Sequence, residues 1–293
     1  MKVKPQPSDS LSANLSVRFL VLTCFLTGFL SINSHSQGLE GVHVETYYVA
    51  DEFDAMDSLS HGLESGTVTY RVWVDMKEGY KLLSVFGSPD HPLDFSTTTY
   101  FFNDTVNGKI EGADIEPAYL GRNPLMIDSY IAFSGTNRYD LGVMKVDDTD
   151  GSLLERTKVQ SSYFPGDRGM LMASNPEAGI PIKVADGNMG GGVPSLILFG
   201  HDFSEFGNTL EADSVHVTNG AWAILNGLDG PFKDKNYLLI AQISTTGEFS
   251  YKLNLQLRSP DGITEYYVAD NPVNEEVTHP ELIYPPHSPS SKP

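Results

Sequence analysis

The stretch EFSYKLNLQLR, residues 248 to 258, puts Phe249, Tyr251, Leu253, Leu255 and Leu257 at every second position, between Glu248, Ser250, Lys252, Asn254, Gln256 and Arg258. Successive side chains of a β-strand point to opposite faces, so strict alternation over this length predicts a strand with one buried and one polar face. No long stretch of the chain shows the 3.6-residue period of an amphipathic helix, and this confines the fold to β structure.

The neighbouring YLLIAQI, 237 to 243, is nearly apolar throughout, as a strand covered on both faces would be. Ser244 to Gly247 lie between the two and supply the glycine of a short loop, which predicts an antiparallel hairpin. TVTYRVWVD (67–75) and YKLLSVFG (80–87) predict a second one, with Val68, Tyr70, Val72 and Val74 on one face and Thr69, Arg71 and Trp73 on the other. Further strands are expected over 42–49, 95–102, 125–133, 194–199 and 262–268, separated by Gly, Pro, Asn and Asp clusters. The expected class is all-β: an antiparallel β-sandwich or jelly-roll-like body with long loops. One body is expected over 37–280, with a subdivision allowed within the glycine-rich, strand-poor 147–193. The Pro/Ser-rich tail 281–293 is expected to be disordered.

At the N-terminus, Lys2, Lys4 and Arg18 lead into a mostly apolar run from Phe19 to Ile32, followed by the small residues Ser34 and Ser36. That is the pattern of a signal peptide over 1–36, cut before Gln37. The run falls short of the ~20 apolar residues that span a bilayer, so no transmembrane anchor is expected after cleavage. Removing the leader also removes Cys24, the one cysteine, and leaves 16 Lys and Arg against 37 Asp and Glu, a charge of −21. Such a surface repels nucleic acid and anionic membranes. The expected location is outside the cytoplasm, secreted or in the cell envelope. Stability must come from a core, perforce without disulfides.

Candidate sites are few. YYVADEFDAMDS (47–58) carries Asp51, Asp54 and Asp57 at a spacing of three, a density of oxygen ligands that calcium would use. The same residues suit an acidic loop or a single helical turn with Phe53 and Met56 packed inward. VDDTDGS (146–152) holds a calcium-loop fragment, Asp148, Asp150 and Gly151, that also makes an ordinary turn. Trp73, beside Arg71 on the polar side of its strand, is a candidate to stack on a sugar or anchor a partner, unless a loop or second layer covers it. The row Lys252, Asn254, Gln256 and Arg258 is either a hydrogen-bonding or a solvated face. His201 and Asp202 in FGHDFSEFG, and His216 in SVHV, can meet in space, against the expectation that histidines at strand ends are structural.

Motifs for a nucleophile elbow, a zinc-protease helix and a phosphate loop are missing. Glycosidase carboxylates leave no fixed spacing, so a polysaccharide hydrolase stays open as the alternative to a binding module.

GLEGVHVETYYVADEFDAMDS, VTYRVWVDMKEGYKLLSVFG, DFSTTTYFFND and LLIAQISTTGEFSYKLNLQLRSPDG together resemble a β-rich module of exported proteins from Bacteroidetes-type bacteria. The resemblance spans roughly 38 to 280 and implies export and a β fold, with no catalytic residues to carry over. Its members often have a more calcium-like loop after the YYV strand, where this chain has Ser58, Leu59, Ser60 and His61. The expected function is a non-enzymatic module for adhesion, matrix assembly or glycan binding, with a glycan or a cell-surface protein as partner.

Overall fold

Alternation fixes which face a strand buries and leaves its partner open. In the computed structural model, the described residues are 37–56, 62–115, 125, 127–133, 142, 144–147, 195–207, 209–230 and 234–285. The chain divides into two units, Met1–Gln37 and Gly38–Pro293, and the elements below belong to the second.

Among the described residues, three sheets make up the body. The first takes β1 (Leu39–Val49), β2 (Val68–Met76), β9 (Asn236–Thr245) and β5 (Tyr130–Ile131) in that order. The second takes β14 (Ile283–Tyr284), β10 (Phe249–Lys252), β4 (Leu93–Thr97) and β7 (Ser214–Val217). The third takes β13 (Val277–Thr278), β12 (Thr264–Val268), β11 (Leu255–Arg258), β3 (Lys81–Gly87), β8 (Gly220–Leu228) and β6 (Ile197–Phe199). Their pairings are antiparallel except β12 with β13. The α-helix α1 (Glu52–Met56) is a single turn. The fold is therefore all-β and sandwich-like, as the sequence predicts. Among the described residues no helix is long and apolar enough to cross a membrane.

One core draws on all three sheets: Val72, Val74 and Ile240 from the first, Phe95, Phe249 and Tyr251 from the second, Leu82, Trp222 and Leu257 from the third. A second cluster lies on the far face of the first sheet, where Tyr47, Trp73, Tyr237 and Leu239 meet Phe102, Ile115 and Ile127 from the loops beyond. The first sheet is thus covered on both sides, and all ten residues of β9 are buried. A bulge explains why YLLIAQI hides its alternation: Val72 pairs with Ala241 and Trp73 with Leu239, so Ile240 is the extra residue. Ile240 and Ala241 both join the main core, and the faces exchange parity across them.

Both expected hairpins are corrected. β2 and β3 lie in different sheets, as do β9 and β10, so each short loop carries the chain across the sandwich instead of back along its neighbour. The alternating stretch 248–258 is also two strands, with β10 in the second sheet and β11 in the third. The switch is at Leu253 and Asn254. Asn254 is 1% exposed, and its amide donates to the carbonyls of Phe86, His91 and Pro92 while its Oδ1 accepts from Ala269 N–H. Periodicity reports a face and says nothing of a partner, which is why crossing and folding back look alike in sequence.

Several strands are shorter than expected: 95–102 contributes only to Thr97, and 125–133 only Tyr130 and Ile131. β7, β8, β13 and β14 were not anticipated. Ordered structure runs past the expected boundary at 280, because Leu282 is fully buried and Ile283–Tyr284 pair with Lys252 and Tyr251. Residues 286–293, the leader and 148–194, which hold the allowed subdivision and most of VDDTDGS, lie outside the described residues.

Candidate functional site

Trp73 and Arg71 stand on the face that alternation assigns them, but that face is covered. Trp73 is 0% exposed and meets Tyr237 edge-on at 5.7 Å. Arg71 is 1% exposed, its guanidinium carbon 3.5 Å from the centre of the Tyr47 ring and its Nε donating to Gln242 Oε1 at 2.9 Å. Neither offers a surface on which a sugar can stack, and they act as interior packing. Of the polar row on 252–258, Asn254 is buried in the sheet switch, while Lys252 pairs with Asp270 at 2.6 Å.

The acidic stretch starts a helical turn. Asp51 Oδ1 accepts from Asp54 N–H at 3.1 Å and Asp54 Oδ2 accepts from Asp51 N–H at 2.7 Å, a reciprocal cap on α1. Tyr48 O–H donates to the same Asp54 oxygen at 2.7 Å, and Asp54 is fully buried. Met56, expected to pack inward, is 69% exposed. Asp57 lies outside the described residues, as does the side chain of Phe53.

The sequence gives no sign of a groove of about 230 Å³ that lies among the described residues between the edges of two sheets. β1, at the edge of the first sheet, supplies Val42, His43 and Val44, while β14, at the edge of the second, supplies Ile283 and Tyr284. The wall between them is built by a 3-10 turn, Pro280–Leu282, where the His279 side chain accepts from Glu281 N–H. Leu282 drops into the core and accepts from Leu253 N–H, which leaves Glu281 facing β1. Glu281 Oε2 accepts the edge-facing Val42 N–H at 2.9 Å. A Cβ at Gly41 would lie 2.6 Å from that oxygen, so a glycine gives the carboxylate its room.

The half-buried Tyr284 ring floors the groove, backed by the buried Tyr251. Tyr251 and Tyr284 stack at 5.5 Å and 21°, and the series continues through Phe249 to Tyr70 at 5.3 Å. Tyr251 donates its O–H to Glu281 O at 3.0 Å. At the rim, His43 Nε2 lies 3.4 Å from Asp75 Oδ2. The hydrogen bond to Asp75 raises the His43 pKa, burial opposes it, and the Asp75 and Glu281 charges add to the rise. A ring-sized molecule would meet an apolar aromatic surface with a carboxylate and an imidazole at its edge.

A buried carboxylate pair lies elsewhere, in the loops over the second cluster. Asp128 is fully buried and accepts from the N–H groups of Asp104 and Lys109 at 2.7 and 3.2 Å. Burial pushes its pKa well up, and the Asp104 charge adds to that. Asp104 Oδ1 in turn caps Val106 and Asn107. These carboxylates tie the loops together and are closed off from the surface.

No family model, curated protein or solved structure matches this chain, so the function has to be argued from the groove. The residues that form it were legible only in part. Glu281, Ile283 and Tyr284 fall in what composition marks as tail, and the signal that could have found them is HPELIY itself, a proline-started turn running into two apolar residues.

Proposed function

We propose that this chain is an exported, non-enzymatic β-sandwich module that binds a glycan in the groove between β1 and β14, in the service of adhesion or matrix assembly outside the cytoplasm. The observation that carries this reading is the Tyr251–Tyr284 stack beside Glu281 and His43. Sugar rings pair an apolar face with a rim of hydroxyls, and an aromatic floor with charged hydrogen-bonding groups at its edge suits both. The volume fits one ring, so the ligand is a chain end or a single branch. The leader pattern, the charge of −21 and the resemblance to exported modules support the location. The side chains of Glu281 and Lys145 occupy backbone groups along β1, Lys145 Nζ donating to Thr46 O at 2.8 Å. This discourages strand-to-strand association and favours a small ligand over an added strand.

A glycan-array screen of the mature chain, followed by titration calorimetry on the hits, tests it. Tyr284→Ala is expected to weaken binding at least tenfold while leaving the melting temperature within a few degrees. Absence of any glycan binding would sink the proposal. Release of product from a bound glycan, abolished by one carboxylate substitution, would establish the hydrolase instead.

A further inference from the structure

We propose that His201, Asp202 and Glu205 form a surface site for a divalent transition-metal ion of the zinc type, independent of the groove. The three residues lie on the loop after β6, and one donor atom from each falls within 4.8 Å of the others. His201 Nε2 is 3.1 Å from both Glu205 oxygens. Zinc holds nitrogen and oxygen ligands at roughly 2.0–2.1 Å, so neighbouring donors of its tetrahedron stand about 3.3 Å apart. The imidazole and the Glu205 carboxylate are already at that spacing, and an Asp202 carboxylate oxygen lies within 4.8 Å of both. An imidazole donor favours zinc, nickel or copper over calcium and magnesium, which prefer all-oxygen shells. With three protein ligands at the surface, at least one coordination position stays open to water or to a group from outside.

The loop is fixed more firmly than an ion pair requires. Phe203 has φ 54°, a left-handed conformation that bulky residues seldom adopt, and is fully buried. Its ring meets Trp222 edge-on at 5.2 Å and the His201 imidazole at 4.7 Å. Phe206, also buried, packs on Phe101 at 5.4 Å. Between these anchors Asn103 pins the backbone, donating to Glu205 O and Thr209 O at 3.0 and 2.8 Å and accepting from Gly207 N–H. Two inward phenylalanines thus hold the positions of three outward ligands. Strain of this kind persists where the surroundings over-determine it, and it concentrates at functional sites. Ser204 N–H donates to Asp202 Oδ1 at 3.1 Å and orients that side chain at the loop surface.

Zinc titration of the metal-stripped full chain by calorimetry tests the site, with cobalt absorption bands as a second readout. One equivalent of zinc is expected to bind and displace cobalt, while calcium and magnesium at the same concentration do not compete. His201→Ala and Glu205→Gln should each weaken zinc binding at least tenfold, and Asp202→Asn severalfold. His216→Ala, which breaks the exposed His216–Asp94 pair, should leave the isotherm unchanged. Asp202 is exposed, so its variant keeps the test usable if His201→Ala fails to fold. Absence of zinc binding, or an isotherm that none of the three loop substitutions alters, would overturn the proposal. Glycan binding by these variants should be unaffected, which separates this site from the groove.

Discussion

The two faces of the first sheet are both buried and built differently. Toward the main core, Val72, Val74, Leu238 and Ile240 pack on Phe95, Trp222 and Leu257, with no charged group among them. On the far face, polar residues meet in register under the loops: Thr69 opposite Ser244, their hydroxyls 2.7 Å apart, and Arg71 opposite Gln242. Tyr130 O–H and Arg71 Nε both donate to Gln242 Oε1, and Gln242 Nε2 donates to Asp128 O. The difference teaches that alternation in sequence separates faces by polarity, which is a different quantity from exposure. A polar face can be interior if its groups are paired across the strands.

The sharpest contrast lies between the two tryptophans. Trp222 is fully buried in the main core, ringed by Phe95 and Phe203, and donates Nε1–H to Ala132 O at 3.1 Å. Its replacement by Ala leaves a cavity between sheets that cannot close, and a loss of about 3–5 kcal/mol is expected in urea unfolding. Trp73→Ala removes an equally buried ring, yet its cover is loop, which can settle into the space. We expect about 2–3 kcal/mol there. Equal losses would show that the loop cover is as rigid as the sheets and would erase the distinction.

Next in size is loss of the cap that ties α1 to the far face. Asp54→Ala frees Tyr48 O–H and Asp51 N–H together, and about 1–2 kcal/mol of stability should go with it. The same experiment addresses calcium at Asp51, Asp54 and Asp57. With Asp54 Oδ2 engaged in two hydrogen bonds, thermal melts in chelator, calcium and magnesium are expected to coincide. A calcium-specific rise that Asp54→Ala removes would instead establish an ion at this turn.

How much of this was legible in the sequence follows from what periodicity measures. EFSYKLNLQLR and TVTYRVWVD assigned each residue to its correct face, and YLLIAQI announced a strand covered on both sides. The sheet each strand joins was not legible, because Asn254 looks solvated until the carbonyls of Phe86, His91 and Pro92 surround it. The groove depends on residues distant in the chain, Val42 and His43 meeting Glu281 and Tyr284, a meeting that no local pattern encodes. Trp73 and Arg71 drew attention for a sound reason, an aromatic beside a cation on a polar face. The loops that cover them carry no signal of where they land.

The far face should also carry a pH dependence that the main core lacks. Glu111, whose backbone bridges Ile131 at the β5 edge of this sheet, is pushed from its ordinary 4.5 up to about 7 by burial, with the Asp114 charge adding to the shift. The folded state therefore holds this proton more tightly than the unfolded one. Its contribution is present below about pH 4.5 and declines as pH rises towards 7. Asp128, raised by burial, has the same sign. Since Glu111 is only partly buried, solvent screening reduces the effect to about 1 kcal/mol. Urea midpoints compared at pH 5 and pH 8 should fall for the native chain and fall less for Glu111→Gln. An unchanged slope in that variant would remove Glu111 from the account.

The smallest expected effect bears most directly on the comparison. Arg71 spends a full charge inside the protein, where its Nε donates to Gln242 and the Tyr130 hydroxyl and the Tyr47 ring are its other near partners. The Tyr47 ring 3.5 Å away offsets part of the desolvation, and the half-buried Glu45, its own pKa raised by burial, supplies some opposite charge. Replacing such a cation with an apolar side chain of similar length removes the desolvation cost and keeps the packing. Gln242 Oε1 would still accept from Tyr130 O–H at 3.2 Å, so the substitution strands no acceptor there. Arg71→Met is therefore expected to leave stability unchanged or raise it by about 1 kcal/mol, whereas Arg71→Ala, which also opens a cavity, should lower it by about 2 kcal/mol. A large loss in Arg71→Met would mean that the guanidinium is the keystone of the covered face, and that the polar side of this sheet is held by charge where the apolar side is held by volume.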